Sequence, residues 1–392
     1  MPQHASVFSL LFIALVACSD AASPPPRPAS DIKLLALETF DGSGQAVHPD
    51  AALTPIGWGE TTTQLFVTPY PYGDASKENP SLYSGKTFLN WTVPVGVTNP
   101  VVRPVSGYLS DPDDVFNPET NELWLYYRSV TGDNEILLVR GRGPSTWSAA
   151  ALVARGENHT IVSPTVVRRA TGDWMMWAVN SGAVGCGSAS TTVEMRTSSD
   201  GITWSAPIAT DLAELDNYPW HIDVQWIPSR QEFWATYNVK IAGSCTTAAL
   251  HFARSPDGIH WTPSVGPVLV REAIPEFRDI VYRASLIYDP AADAVTLWYS
   301  GARYDGARYT WRIATEIVSG PVFFLRLATS VPGAGLNVSD SPPLTNADAP
   351  WSVALTSPVP RVNLSGRETT PAARGERMTR RWILRRPPMR PV

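Results

Sequence analysis

The feature that most constrains this fold is a regular spacing of tryptophans. Four of them are separated by 56 or 57 residues: Trp91, Trp147, Trp204 and Trp261. The residues around the last two also repeat, since Ser198–Trp204 (SSDGITW) matches Ser255–Trp261 (SPDGIHW). An Asp-Gly turn before a β-branched residue and a tryptophan predicts a hairpin, with the glycine at positive φ and the indole packed on the sheet.

Short strands are predicted upstream of each turn. The most distinctive is an aromatic strand with four copies: Leu123–Tyr127, Trp174–Trp177, Phe233–Tyr237 and Val295–Tyr299. Aromatic and β-branched residues favour strands, and no helical window of comparable strength interrupts them. Three or four short antiparallel strands in every 50 to 60 residues are typical of propeller blades.

The number of repeats predicts the number of blades. The repeating units span residues 50–105, 106–157, 158–215, 216–273 and 274–330. We therefore predict an all-β fold, a five-bladed β-propeller of four-stranded antiparallel blades. A β-sandwich is the alternative, but it requires no fixed period. The strand-like segments Ile32–Thr39 and Pro321–Leu327 flank the repeats, and we expect one to close the ring against the other.

The two ends of the chain predict export and a tether. Residues 1–17 read as a signal peptide, because the apolar run Val7–Val16 is too short to span a bilayer as a helix. Leu15-Val16-Ala17-Cys18 resembles a bacterial lipobox, which implies lipidation of Cys18; an ordinary secreted protein is the alternative. We interpret residues 18–30 as a Pro-rich tether, 31–330 as the propeller and 331–392 as a Pro/Arg-rich, largely disordered tail. The expected location is the cell envelope, anchored by lipid in the outer membrane or at the cell surface.

Two further cysteines would lie in a compartment that permits disulfides. Cys186 follows Ser163 by 23 residues, and Cys245 follows Ile222 by the same number. Equivalent loops of neighbouring blades lie side by side, so a disulfide between Cys186 and Cys245 is predicted. Two separate buried thiols are the alternative.

Several classes of function find no support in the sequence. The net charge is −5 and the body of the chain has no basic stripe, which argues against a nucleic-acid partner. There is no phosphate-cradling glycine loop, no His/Cys zinc spacing and no Gly-x-Ser-x-Gly motif. We therefore expect no cofactor and no metal. Fifteen Trp and thirteen Tyr in a charge-poor chain suit sugar-stacking surfaces, so the expected partner is a carbohydrate, and the protein is expected to be a monomer.

Candidate functional residues follow from aligning the predicted inner strands, which converge on the axis of a propeller. One register holds Asp111, Val162, His221 and Arg283, and the register two residues further holds Asp113, Pro164, Asp223 and Ser285. The loops that lead into these strands add Tyr108, Glu157, His159, Trp220, Glu276, Arg278, Asp279 and Tyr282. Carboxylates and histidines from distant parts of the chain would thus meet on one face.

These runs resemble a known family. Tyr108–Asp113, Trp220–Asp223, Tyr282–Ser285 and the repeated Asp-Gly turns look like the five-bladed glycoside hydrolase-like proteins related to arabinanases, β-xylosidases and invertases, over roughly residues 100–320. The resemblance implies a carboxylate pair with separated pKa values, one the base or nucleophile and one the acid. Asp111 matches the base or nucleophile and Asp223 the second carboxylate.

The acid is the position at which this sequence departs from the family pattern. His221 and Asp223 stand on the inner strand where the family has a glutamate, so Glu276 is the substitute acid and Asp279 the second choice. The residues expected to contact substrate are Tyr108, Trp220, His221, Asp279, Tyr282 and Arg283. Asp200 and Asp257, in the outer turns, are expected to be structural.

The favoured hypothesis is an exported glycosidase that acts through carboxylates in the central funnel. The alternative is a catalytically inactive propeller lipoprotein that binds glycan or protein. A purely structural envelope protein is a third possibility, and it would leave the funnel plugged by side chains.

Overall fold

The computed structural model describes residues 32–130, 134–156, 158–212, 217–241, 246–264, 267–271, 274–320 and 323. The signal peptide, Cys18, the Pro-rich tether, Glu157, Cys245 and the C-terminal tail lie outside these residues, so their roles stay predictions. Cys186 lies in a short 3₁₀ turn, Gly185–Gly187, and its pairing with Cys245 likewise stays a prediction. Within the described ranges, no helix is long and apolar enough to cross a membrane.

The chain forms five small antiparallel sheets. After a short strand β1 (Lys33–Leu34), blade 1 contains β2 (Ala46–Leu53), β3 (Thr63–Pro69), β4 (Ser81–Thr87) and β5 (Asn90–Thr92). Blade 2 contains β6 (Tyr108–Asn117), β7 (Glu122–Val130), β8 (Asn134–Gly143), β9 (Thr146–Trp147) and β10 (Ala151–Arg155). Blade 3 contains β11 (Ile161–Arg168), β12 (Trp174–Asn180), β13 (Thr192–Ser198) and β14 (Ile208–Ala209).

The last two blades follow the same plan. Blade 4 contains β15 (Asn217–Ile227), β16 (Glu232–Ile241), β17 (Thr247–Ser255), β18 (Thr262–Pro263) and β19 (Leu269–Val270). Blade 5 contains β20 (Ile280–Asp289), β21 (Ala294–Tyr304) and β22 (Tyr309–Ser319). The inner strands β2, β6, β11, β15 and β20 contact one another in sequence around a closed ring. The predicted five-bladed β-propeller is confirmed.

The ring is closed by the N-terminal strand. β1 pairs antiparallel with β22, with Lys33 opposite Thr315 and Leu34 opposite Ala314. Blade 5 therefore has four strands, three from the end of the array and one from its beginning. Of the two segments expected to close the ring, the one around Ile32–Thr39 supplies this strand.

The apolar core is divided among the junctions between blades. Each of five buried clusters combines residues of two neighbouring sheets. The repeating tryptophans lie at these junctions, each edge-on to an aromatic ring of the preceding blade. In every pair the ring centroids are 6.3 or 6.4 Å apart. The pairs are Trp91 with Trp298, Trp147 with Trp58, Trp204 with Tyr126, and Trp261 with Trp177. The spacing seen in the sequence is thus the spacing of these contacts.

The Asp-Gly turns form hydrogen bonds across the same junctions. In blade 4, Asp257 Oδ1 accepts hydrogen bonds from the N–H groups of Ile259 and His260, at 2.9 and 2.8 Å. Gly258 has φ of 82°, and its carbonyl oxygen accepts the indole N–H of Trp177 in blade 3 at 2.7 Å. The turn in blade 3 has the same geometry. Gly201 has φ of 71°, and its carbonyl oxygen accepts the hydroxyl of Tyr126 in blade 2 at 2.8 Å. The predicted structural role of these turns agrees with this geometry.

A second set of hydrogen bonds joins the blades at the axis. At one position of every inner strand a side-chain oxygen accepts the backbone N–H of the following blade. The five pairs, with the side-chain acceptor first and the backbone N–H donor second, are Asp50 and Asp114 (2.6 Å), Asp113 and Val166 (2.8 Å), Thr165 and Val224 (3.0 Å), Asp223 and Leu286 (3.2 Å), and Ser285 and Ala51 (3.4 Å). We call these five acceptor residues the lower tier. The last bond returns to the first blade, so the set forms a closed ring.

The lower tier offers a test of how much one such bond stabilises the fold. Thr165→Val keeps the shape of the side chain but leaves the buried N–H of Val224 without its acceptor, so the free energy of unfolding should fall by about 1–3 kcal/mol. Urea denaturation measures this change. Thr262→Val, at an exposed position of β18, is the control, and equal losses in the two variants would contradict a special role for the ring.

Candidate functional site

Each inner strand carries a β-bulge at the same place. The strand pairing shifts between Val47 and Asp50, Ser110 and Asp113, Val162 and Thr165, Pro219 and Ile222, and Val281 and Ala284. The five residues two positions before the lower tier lie at these irregularities, and we call them the upper tier: His48, Asp111, Ser163, His221 and Arg283. His48, Asp111 and Ser163 have φ between 52° and 53°. Bulges of this kind re-aim side chains next to functional sites.

In two blades the residues at the axis differ from those that the sequence alignment predicted. In blade 3 the axial residues are Ser163 and Thr165 rather than Val162 and Pro164, because Val162 packs in the apolar cluster between blades 3 and 4. Blade 1 begins at Ala46 rather than at residue 50, so the first inner strand contributes His48 and Asp50, which the sequence analysis missed.

Asp111 is the centre of the upper tier. Its Oδ1 lies 3.1 Å from His221 Nδ1, 3.6 Å from His48 Nε2 and 3.9 Å from Arg283 Nη1. Its Oδ2 lies 3.8 Å from Arg128 Nη1. The structure therefore confirms that Asp111, His221 and Arg283 meet at the axis, and it adds His48 and Arg128 to them.

Burial sets the charge of these groups. Desolvation lowers the pKa of His48 to about 3 and also lowers the pKa of His221. Burial alone would raise the pKa of Asp111, but the two imidazoles and Arg128 outweigh it and hold that pKa well below its usual range. At neutral pH the site holds two neutral imidazoles around one carboxylate, with the guanidinium groups of Arg128 and Arg283 3.8 and 3.9 Å from the carboxylate oxygens.

This arrangement has the donor set of a divalent metal site. One nitrogen or oxygen each from His48, Asp111 and His221 lie within 4.8 Å of one another. His48 Nε2, Asp111 Oδ1 and both ring nitrogens of His221 are buried without a hydrogen-bond partner among the described residues. The other ring nitrogen of His48 lies 2.9 Å from Thr68 Oγ1, a contact that orients a ligating imidazole. Two neutral histidines and a carboxylate fit a transition-metal ion.

The sequence has no local His/Cys spacing typical of a metal site, which is why no metal was expected. His48, Asp111 and His221 come from three different blades, and no local motif connects them. The axial alignment could have found the set if blade 1 had been included.

Glu78 is a further acidic group beside this cluster. It is 5% exposed, and its Oε2 lies 3.5 Å from His48 Nδ1. Burial, reinforced by the charge of Asp111, raises the pKa of its carboxyl well above the usual range. Its carbonyl oxygen accepts the N–H of Leu109 at 3.0 Å, which anchors the loop next to blade 2. Because Glu78 lies in the loop between β3 and β4, away from the repeated strands and turns, no periodic signal pointed to it.

Aromatic residues line the same site. The Tyr282 ring lies 4.3 Å from the His221 ring and 5.4 Å from the His48 ring. Trp220 Nε1 donates to Tyr282 Oη at 3.4 Å. Tyr108 is half-buried beside Arg128, and burial raises the pKa of its hydroxyl. Five of the six predicted substrate-contact residues therefore lie around Asp111: Tyr108, Trp220, His221, Tyr282 and Arg283.

The remaining predicted residues lie elsewhere. Glu276 is part-exposed in the 3₁₀ turn Pro275–Phe277, and no contact within the described part of the chain joins it to Asp111. Asp279 accepts the N–H of Tyr304 at 2.7 Å, near the tip of blade 5. The catalytic role predicted for Glu276 stays a prediction.

Asp223 lies one layer below, in the lower tier. Its two oxygens accept hydrogen bonds from Thr165 Oγ1, at 3.3 Å, and Leu286 N, at 3.2 Å. Burial and the charge of Asp50 raise its pKa to about 7. Both oxygens are thus already used in joining the blades, and the predicted role of Asp223 in catalysis stays a prediction.

Comparisons with known proteins agree with the fold. No protein-family model matches the chain. A curated relative, the A type blood N-acetyl-α-D-galactosamine deacetylase of Flavonifractor plautii, is 28% identical over 316 residues, or 67% of this chain and 40% of the relative. The chain therefore spans about two fifths of that relative's length.

Two solved structures have the same fold. One is an N-acetylgalactosamine deacetylase from F. plautii in complex with blood group B trisaccharide, with a TM-score of 0.69 and 23% identity over 78% of this chain and 99% of that one. The other is a thermostable family-43 glycoside hydrolase, with a TM-score of 0.51 and 12% identity over 70% of this chain and 88% of that one. The resemblance to glycoside hydrolase-like propellers is confirmed at the level of the fold.

The upper tier generates a prediction about metal binding. The purified chain, stripped with EDTA and titrated with Zn²⁺ or Mn²⁺, should bind one ion with an affinity that falls at least about tenfold in Asp111→Asn and His221→Gln, since each removes a ligand. Calorimetry and elemental analysis measure this binding. His260→Gln, on the exposed turn of blade 4, is the matched control, and equal affinity in all variants would rule out the upper tier as the site.

Proposed function

We propose that this chain is a glycan-processing enzyme whose upper tier holds a divalent metal ion and removes the acetyl group from an N-acetylated amino sugar. The observation that carries the proposal is the convergence of three buried ligand atoms from three blades within 4.8 Å of one another: a ring nitrogen of His48, a carboxylate oxygen of Asp111 and a ring nitrogen of His221. The curated relative, named as a deacetylase of N-acetyl-α-D-galactosamine, supports the choice of reaction and substrate.

Hydrolysis of an acetamide requires an activated water, a polarised carbonyl group and a proton for the departing amine. A bound divalent ion supplies the first two, acting as a Lewis acid and lowering the pKa of water. The protein's part is to keep His48 and His221 neutral, as ligation requires, and to hold the His48 ring through Thr68.

Proton transfer and charge stabilisation fall to two neighbouring side chains. Glu78, whose carboxyl pKa is raised by burial, is the group proposed to exchange a proton with the water and then with the amine; its Oε2 lies 3.5 Å from His48 Nδ1, the ring nitrogen that does not face the proposed metal. Arg128, whose side chain is 13% exposed beside Asp111, is placed to donate hydrogen bonds to a substrate oxygen that gains negative charge.

Glycoside hydrolysis is the second candidate. It is favoured by the neighbouring carboxyl groups of Asp111 and Glu78, whose pKa values are shifted in opposite directions, as an acid and a base or nucleophile require. Against it, Asp111 is 1% exposed and enclosed by two imidazoles and two guanidinium groups. A metal ion can use this enclosed oxygen as a ligand, whereas a sugar ring has no free approach to it.

One assay separates the two reactions. The purified chain is incubated with p-nitrophenyl glycosides of N-acetylgalactosamine and N-acetylglucosamine, and acetate and p-nitrophenol are measured in the same samples. We expect acetate without p-nitrophenol, lost on treatment with EDTA and lowered about 100-fold or more in Asp111→Asn and Glu78→Gln. Asp289→Asn and Glu60→Gln, both exposed, are matched controls that should keep full activity.

The other outcomes reject the deacetylase. Release of p-nitrophenol that is lost in Asp111→Asn but insensitive to EDTA would establish the glycosidase. Glycan binding without either product would favour the catalytically inactive binding propeller.

We also infer export and lipidation at Cys18, supported by the lipobox-like residues Leu15–Cys18. Cells that produce the full chain should incorporate a labelled fatty acid into the protein, and Cys18→Ser should abolish the label because it removes the acylated thiol. Cys186→Ser serves as the control for loss of a cysteine. A labelled Cys18→Ser protein, or an unlabelled wild type, would contradict lipidation.

A further inference from the structure

A row of aromatic rings leads from the upper tier to the protein surface at blade 5. The Tyr282 ring, which contacts His221, lies 5.3 Å from Trp311. Trp311 lies 6.3 Å from Tyr309, and Tyr309 lies 5.0 Å from Tyr304. Exposure increases outward, from 5% at Trp311 to 39% at Tyr304. We call Tyr282, Trp311, Tyr309 and Tyr304 the aromatic row.

A loop of blade 1 runs beside this row. Its Tyr72 is 46% exposed, and the guanidinium of Arg308 lies 3.6 Å from the centre of the Tyr72 ring. Gln45 Oε1 accepts the backbone N–H groups of Tyr72, at 3.2 Å, and Trp311, at 3.0 Å. One buried amide thus joins the loop of blade 1 to the aromatic row of blade 5.

The outer end of the row is held in place. Tyr304 donates its N–H to Asp279 at 2.7 Å, its carbonyl oxygen accepts from Arg278 at 3.2 Å, and its hydroxyl donates to the carbonyl oxygen of Gly306 at 3.1 Å. Asp305 Oδ1 accepts two backbone N–H groups of the turn that follows. A surface aromatic ring held in this way is pre-organised for a ligand, because little side-chain entropy remains to be lost on binding.

The inner rings of the row belong to an apolar cluster, in which Trp311 is buried with Tyr282 and Tyr309 packed against it, but the groups at the outer end do not. The apolar clusters between blades do not include Tyr72, Tyr304 or Arg308. Exposed aromatic rings next to a reaction centre are instead typical of ligand-binding surfaces.

We propose that the exposed end of the aromatic row, Tyr304, together with Tyr72 and Arg308, is a binding subsite for the glycan chain that continues from the reacting sugar. This inference rests on the proposed function and makes the substrate an oligosaccharide rather than a free amino sugar. A pyranose ring presents a face of C–H groups that packs on an aromatic ring, while its hydroxyl groups bond to a polar edge such as the guanidinium of Arg308. The occupant follows from continuity, because the row begins at Tyr282, in contact with His221, and ends at solvent.

The test compares long and short substrates in the full-length protein. N-acetylated trisaccharides and the corresponding methyl monosaccharide are assayed for acetate release. In Tyr304→Ala the ratio of kcat/KM for the trisaccharide to kcat/KM for the monosaccharide should fall about tenfold, because one stacking contact is removed. Tyr304→Phe keeps the ring and should keep the ratio. Ile317→Ala, exposed elsewhere on blade 5, is the control for a surface truncation.

Direct binding separates this inference from the proposed reaction. Trisaccharide titrations followed by calorimetry should give a Kd about tenfold weaker for Tyr304→Ala than for wild type, with Tyr304→Phe unchanged. That result supports the subsite even if no acetate is released, in which case the proposed function alone fails. Equal Kd values in all three proteins, or a wild type that binds the trisaccharide no more tightly than the monosaccharide, would overturn the subsite whether or not acetate is released.

Discussion

The hydrogen-bonded ring of the lower tier is the constraint on which the rest of the structure depends. Each bond fixes one inner strand against the next, and the five together determine the distance of every strand from the axis. Because a bulge immediately precedes each acceptor, the upper tier is placed by the same contacts. His48, Asp111 and His221 can meet within 4.8 Å, although they belong to three blades, because those blades are held in a common register.

The axis also concentrates ionisable groups where water is scarce. Arg283 is fully buried between the tiers, 3.9 Å from Asp111 above and 3.8 Å from Asp113 below. A buried charge is tolerated only where others compensate it, and here burial raises the pKa values of Asp113 and Asp223, whereas Asp111 stays ionised. The lower tier therefore serves mainly to join blades, and the chemistry proposed for this protein falls to the upper tier. Such separation of roles is typical of functional sites.

The sequence predicts what is periodic and misses what is not. The tryptophan spacing revealed the blades because each indole occupies an equivalent junction, and Asp111, His221 and Arg283 were found because they share one register. His48 was missed because the first repeat was taken to begin at residue 50, whereas the inner strand of blade 1 begins at Ala46. Glu78 lies in a loop, to which no pattern applies. Glu276 was predicted as the acid because the family has a glutamate on the inner strand where this chain has His221 and Asp223.

The pairing of β1 with β22 has a consequence for how the chain reaches its native state. Strands from opposite ends of the array share one sheet, so blade 5 cannot be completed until the last blade has been synthesised, and until then β1 and the edge of blade 1 are without their neighbours. Unpaired edges invite association with other chains. Before β1 pairs with β22, an incomplete propeller of this kind is therefore more prone to aggregate than the closed ring, and it benefits most from chaperones at that stage.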